Sequence, residues 1–432
     1  MTQDNAHFPQ LWQPADLVAS RQVNKESILE LIRWAPEGIS RAEIAQQLGV
    51  SRATVSAVVD RLIDAGLVLE RGEGVSRGGR RPIVLEIAAD GGRVIGVDIG
   101  ATHLAVMVTD LRGRVLAESL IDIDVQAGAR RTLGEVDTLV RETVRQAGCL
   151  WDAIQAIGVG VPGPVITLEG TVSTPPLMPG WDGFPIRDYL VGQWSKTVTV
   201  DNDADLGALG EWAFGAGQQE SSLTYIKIGT GIGCGILLDG RIYHGAQGTA
   251  GEIGHMTISA DGPPCSCGNY GCLEAMAGGR AIAERAQLAV KAGQRTLLAG
   301  GGPVEAITAR QVAEAALAGD AVSQQLLGDA GRHIGSAVAA LVNLLNPGLV
   351  LIGGGVAQAG NHLLRPLREA ALQRSLRASM RSTRIEVGAL GRKATAMGAV
   401  ALALSRTFHQ YFDGGRTQER QTTGVEAAAQ TN

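Results

Sequence analysis

The sequence predicts an α/β protein: an N-terminal winged helix-turn-helix followed by a duplicated α/β fold with a cleft between its halves. Three observations carry this. Short helical patterns at the front end run into two strand-like runs joined by a basic turn. Two strand–glycine turn–strand units recur about 130 residues apart, with a third glycine-rich turn behind them. Between the second and third turns lies a tight cluster of cysteine and histidine.

The totals set the frame. The 432 residues suffice for two or three domains, and 45% hydrophobic with 19% charged content is ordinary for a soluble protein. The formal charge of −5 gives no global basic field, so DNA binding must come from a local surface. No signal-peptide pattern opens the chain, and the most apolar stretch, 337–356, is broken by Asn343, Asn346, Pro347 and glycines. A cytoplasmic protein without a membrane span is expected.

Residues 1–23 are polar and irregular and read as a flexible arm. The segment 24–88 reads as the winged helix-turn-helix. Ile28, Leu31 and Ile32 share one helical face, and Ser40-Arg-Ala-Glu43 is a capping box that opens the next helix. Gly49 ends it, and Ser51 caps a third helix carrying Val55, Val58, Val59 and Leu62 inward. Such a third helix enters a major groove by its N-terminal end. Ser40, Ser51, Arg52, Thr54 and Ser56 are therefore the candidate DNA contacts there. Runs 67–70 and 83–87 form the wing, and Arg71, Arg77, Arg80 and Arg81 in its turn suit a phosphate backbone. The segment is near neutral overall, which leaves a helical protein-interaction module as the competing reading.

From Val94 the pattern changes. Val94 to Gly100 is a strand running into a glycine turn, with Asp98 placed to hold a metal beside a phosphate and Gly100 and Thr102 in the turn. The unit returns at Tyr225 to Gly235, with Gly229, Thr230, Gly231 and Gly233 in its turn. A buried strand, Leu349 to Ile352, then enters Gly353-Gly354-Gly355. Between the first two turns, a strand ends in Asp201-Asn202-Asp203-Ala204-Asp205 and opens a helix. A carboxylate at a strand end in a cleft is the usual place of a general base. Asp201 and Asp205 read as helix N-terminal charge. The loop 175–185, with Trp181 and Phe184, is expected near the ligand.

The stretch 251–274 holds His255, Cys265, Cys267 and Cys272. One imidazole and three thiolates are the complete ligand set of a structural zinc site, and the intervening glycines and prolines let a short loop close around one ion. A disulfide would strand one thiol and need an oxidising compartment. Glu252 and Glu274 lie close to the ligands, so a metal clip would also fix two acceptors suited to a ligand rich in hydroxyls.

Gly-Glu252-Ile-Gly-His255 followed by Cys265-Ser-Cys267-Gly-Asn-Tyr-Gly-Cys272-Leu-Glu274 closely resembles the signature of the ROK family of repressors and sugar kinases. The headpiece, including its Gly79-Arg-Arg-Pro82 exit, is similar to that of ROK repressors, and the resemblance covers about residues 24–410. It implies an actin-like ATPase/hexokinase (ribonuclease H-like) fold over 92–410. It places ATP phosphates with Mg2+ on the first two glycine turns and the adenosine on the third. Asn202, Asp203, Glu252, His255 and Glu274 match sugar-holding positions, with Asp203 as base in the kinases. Two departures stand out: Ala101 and His103 replace a usual glycine and lysine, and Asp205 replaces a usual asparagine. The expected function is a DNA-binding repressor of carbohydrate genes, controlled by a sugar in a zinc-ordered cleft. Its expected partners are a double-stranded operator, a sugar effector and further copies of itself in a homo-oligomer. The alternative is an ATP-dependent hexose or amino-sugar kinase with an accessory DNA-binding domain. Residues 414–432 are polar and read as a disordered tail.

Overall fold

The computed structural model describes residues 25–33, 35, 37–73, 82–173 and 178–429, with side chains as far as Tyr411 at the C-terminal end. The arm 1–23 and the wing residues Arg77, Arg80 and Arg81 lie outside the described residues.

The front end is the expected headpiece. Helix α1 (Lys25–Arg33), strand β1 (Ile39–Ser40), α2 (Arg41–Leu48), α3 (Arg52–Asp64), β2 (Val68–Glu73) and β3 (Ile83–Ile87) follow in order, and the strands pair as β1-β3-β2. The capping box forms as read: the Glu43 amide donates to Ser40 Oγ and the Ser40 amide to Glu43 Oε2. Gly49 closes α2 with φ +64, and Ser51 caps α3 by accepting from the Thr54 amide.

Two sheets of matching topology follow. In the first, β4 (Arg93–Ile99), β5 (His103–Asp110) and β6 (Val115–Asp122) form an antiparallel meander. After helix α4 (Ala129–Gln146) come β7 (Ile154–Val161) and β10 (Thr197–Asn202), parallel to β4, giving the order β10-β7-β4-β5-β6. Between these two strands lie a small hairpin, β8 (Val165–Ile166) with β9 (Thr171–Val172), and helix α5 (Ile186–Trp194). Helix α6 (Asp203–Phe214) leads to the second sheet. There β11 (Ser222–Ile228), β12 (Ile232–Leu238) and β13 (Arg241–Ile242) form the meander. Helices α7 (Leu273–Ala277), α8 (Gly279–Lys291), α9 (Ala309–Leu317) and α10 (Ala321–Leu345) precede β14 (Leu349–Gly353). Helices α11 (Asn361–Arg374) and α12 (Arg377–Ser382) precede β15 (Arg384–Val387), and the order β13-β12-β11-β14-β15 repeats that of the first sheet. The duplication read from the glycine turns is thus present strand for strand.

The last helix, α13 (Ala394–Ala429), joins the parts. It lies so close to the first sheet that a Cβ on Gly96 would meet Ala396 O at 2.1 Å. Its crossing with α6 is equally tight, since a Cβ on Gly398 would lie 1.7 Å from Leu206 O. Glycine is required at both approaches because any side chain would have to displace backbone. Farther along, Ala403, Leu404 and Phe408 share one core with Ile28, Ile32, Val55 and Leu62 of the headpiece. The helix continues to Ala429, into the stretch read as a disordered tail. Glu, Gln, Arg and Ala mark polar disorder by composition, yet they are also strong helix formers, and here the helix wins. Among the described residues, no helix is long and apolar enough to cross a membrane.

Candidate functional site

The cysteine loop is built as a small clip. Gly271 takes φ +62, isolated bridges pair Thr257 with Cys272 and Pro264 with Tyr270, and the four side chains converge. His255 Nδ1 lies 3.6 Å from Cys265 Sγ, Cys267 Sγ lies 3.7 Å from Cys272 Sγ, and the four ligand atoms all fall within 4.8 Å of one another. Sulfurs bound to one tetrahedral zinc at 2.3 Å stand about 3.8 Å apart, so the donor set fits that ion. Burial and the neighbouring thiols push the Cys272 thiol up to about 12, while the Asn269 amide helps pull Cys267 down to about 7. The imidazole serves two directions: Nδ1 faces the thiols and Nε2 lies 4.0 Å from Glu252 Oε2.

The cysteine loop runs directly into the helix that carries Glu274. Cys272 is the residue before α7, which carries Glu274 on its first turn, and Glu274 Oε2 accepts from the Ile232 amide at 3.0 Å, just past the second glycine turn. Glu274 is therefore tied into the backbone by one oxygen. Glu252 feels burial first, then His255, Asp203 and Glu274; the net effect raises its carboxyl above the usual range. Asp203, Glu252, His255 and Glu274 thus lie near enough to feel one another's charge. Asn202 precedes Asp203, but its amide is largely committed: Oδ1 caps α6 through the Ala204 and Asp205 amides, and Nδ2 donates to Gly163 O.

Asp203 opens α6, and its Oδ2 lies 2.9 Å from the ammonium of Lys227 on β11. The same ammonium reaches Thr395 Oγ1 at 3.1 Å and Asp98 Oδ1 at 3.7 Å. His103 Nε2 meets the other Asp98 oxygen at 3.1 Å. The charges of Lys227 and His103 outweigh burial and hold the Asp98 carboxyl below its ordinary value. Sequence reasoning missed Lys227. The signal was a lysine between Ile226 and Ile228 in an otherwise apolar strand, where an uncompensated charge is costly.

Asp201 and Asp205 are more than helix-end charge. Asp201 is buried at the end of β10 and receives His244 Nε2 at 3.0 Å, while Asp205 is buried on α6 with Oδ1 unpartnered among the described residues. Burial first, then Asp201, pushes the Asp205 carboxyl well up. For His244, burial pulls down, but Asp201 and Asp205 prevail and raise it to about 9 from 6.5. Both groups bind protons more tightly folded than unfolded, so both contribute stability that falls as pH rises. The His244 contribution is complete below pH 6.5 and lost through about 9. It is on the order of 3 kcal/mol. Urea unfolding of the parent and of His244→Asn across that window should show the parent losing its advantage, and a constant difference would contradict the pairing.

Two further corrections concern single residues. Trp181 is fully buried and donates to Val125 O, so it is core of the first half and not a ligand contact; an indole satisfied by a carbonyl packs well inside. Ser40 was expected to touch DNA, but it is 4% exposed and its hydroxyl is used by the cap. Ser51, Arg52 and Thr54 are exposed at the start of α3 and Ser56 is half-exposed. Arg52 has no ion pair among the described residues, whereas Arg41 is held by Asp60 and Glu70, and Arg71 by Glu86.

Two sheets of one topology, a cleft between them, a four-ligand clip and a winged headpiece define a ROK protein. The family pattern matches residues 94–406, and a winged helix-turn-helix DNA-binding pattern matches 23–68. The chain belongs to the ROK family. It is 35% identical over 385 residues to the xylose repressor of Caldicellulosiruptor bescii, covering 89% of this chain and 96% of that one. A crystal structure of a ROK family transcriptional regulator, a homologue of the E. coli MLC protein, superposes with TM-score 0.76 at 28% identity over 92% of this chain and 98% of that one. A Streptomyces griseus ROK glucokinase with glucose and AMPPNP superposes with TM-score 0.64 at 33% identity, over 72% of this chain and 99% of that one.

Proposed function

We propose that the chain is a DNA-binding transcriptional repressor of carbohydrate genes, released or retained on its operator by a sugar held at Asp203, Glu252, His255 and Glu274. The observation that carries this is that α13 touches both ends of the problem. Near its start Thr395 donates to Asp203 O beside the cleft, and Tyr411 donates to Arg61 O on α3 of the headpiece. The 16-residue step from Thr395 to Tyr411 spans about 24 Å of continuous helix. A sugar that binds two arrangements of the cleft unequally would shift the headpiece by that differential affinity.

A zinc ion held by His255, Cys265, Cys267 and Cys272 would order the loop and fix the His255 ring, supplying structure and no chemistry. The nucleotide reading fares worse. Asp98 and Asp203, which would face metal and phosphate in a kinase, are both engaged by Lys227, and no catalytic step is assigned to Asp203. The glycines at 229, 231, 233 and 353–355 remain as turns of the fold. Paired half-sites on an operator require an even number of headpieces, so a dimer or tetramer is part of the proposal.

Gel shift on DNA upstream of the chain's own gene, with and without a panel of pentoses, hexoses and amino sugars, tests the reading. Arg52→Ala should weaken specific binding about tenfold to a hundredfold, the cost of one base or phosphate contact. Its sugar affinity by calorimetry should not change. Equal DNA affinity in parent and variant would remove α3 from the interface.

A further inference from the structure

Lys227 lies on β11 of the second sheet. Its neighbours Ile226 and Ile228 are fully buried, so strand alternation turns Lys227 to the opposite face, toward the cleft. There its ammonium lies between Asp203, which follows β10 of the first sheet, and Asp98 on β4 of the same sheet, with Thr395 as third partner. The remaining Asp98 oxygen is taken by His103. The His103 ring also lies over the first glycine turn: a Cβ on Gly100 would come within 2.2 Å of its Cε1. Two carboxylates and one turn that together would receive a metal-bound polyphosphate are thus filled by the chain's own basic side chains.

We propose that Lys227 is a built-in cation, standing in the place of the divalent metal and turning a kinase-type cleft into a receptor for an uncharged sugar. The ammonium neutralises the carboxylates that would otherwise repel each other. It repels Mg2+ at the same spot. It also holds the Asp203 side chain in place, so that the carboxylate is aimed to accept a sugar hydroxyl. That last role rests on the sugar-receptor reading; the exclusion of metal does not.

The test uses Mn2+ as probe on the full chain, followed by electron paramagnetic resonance with and without ATP. The parent should show no Mn2+ or Mn-ATP signal that Asp98→Asn alters. Lys227→Ala should gain a saturable Mn2+ site, at least about tenfold tighter than any in the parent. That site should vanish in Lys227→Ala with Asp98→Asn, which separates it from metal taken up by the cysteine loop. Lys227→Arg should exclude Mn2+ as the parent does. If Lys227→Ala does not fold, Lys227→Gln keeps a polar group against Asp203 and takes its place. An Asp98-dependent Mn-ATP site in the parent, or no new site in a folded neutral variant, would overturn the proposal. Operator binding by the same preparations is read separately, so a failure of the repressor reading leaves this result standing.

Discussion

Cys267→Ser is expected to drop bound zinc far below one per chain and to take most of the sugar affinity with it. Cys267 is exposed, so the change removes a ligand with little loss of packing, unlike the same change at the fully buried Cys272. Structural zinc sites contribute on the order of 10 kcal/mol to the fold around them, and three ligands hold the ion far less well than four. Without the ion, two consequences follow. His255 loses the partner that fixes its ring, and the helix carrying Glu274 loses its anchor at Cys272. A fall in sugar affinity of about a hundredfold or more is expected, read by metal analysis and calorimetry on one preparation. Full sugar affinity in zinc-free protein would break the link between clip and cleft.

Glu252→Ala should abolish measurable sugar binding while leaving the free protein's operator affinity intact. The Glu252 carboxylate accepts no hydrogen bond from the described residues, and its side chain is 33% exposed, so its oxygens are available to hydroxyls. A charged acceptor is worth about 1.5–3 kcal/mol per hydrogen bond, and two such bonds make a loss of roughly a hundredfold to ten-thousandfold. The variant should therefore bind DNA equally well with and without sugar. A variant that still responds to sugar would mean that Asp203, His255 and Glu274 suffice without it.

Much of this was legible before any coordinates. The duplication showed because each half repeats a strand, a glycine turn and a strand, a local pattern with few alternatives. The cluster of one histidine and three cysteines showed because its members lie within 18 residues, from His255 to Cys272, and a short loop brings such neighbours together. What stayed hidden depends on contacts between distant segments. Lys227 and Asp203 are 24 residues apart, and Thr395 a further 168 from Lys227, so no spacing rule joins them. His244 and Asp201 likewise meet only because β10 and the loop before the clip border one cleft. The burial of Trp181 was hidden for a related reason: its partner Val125 is 56 residues away. Ser40 misled because a capping serine and a DNA-contacting serine look the same in a sequence.

The central claim is that one chain holds a sugar at one end of a continuous helix and DNA at the other, each altering the other's affinity. The direct measurement is the operator dissociation constant, by gel shift or fluorescence anisotropy, at zero and saturating concentrations of whichever sugar the protein binds by calorimetry. The account predicts a shift of at least about fivefold, the lower range of allosteric coupling, and the same factor in sugar affinity when operator is present. Identical operator affinity in the two conditions, for a sugar shown to occupy the cleft, would contradict it.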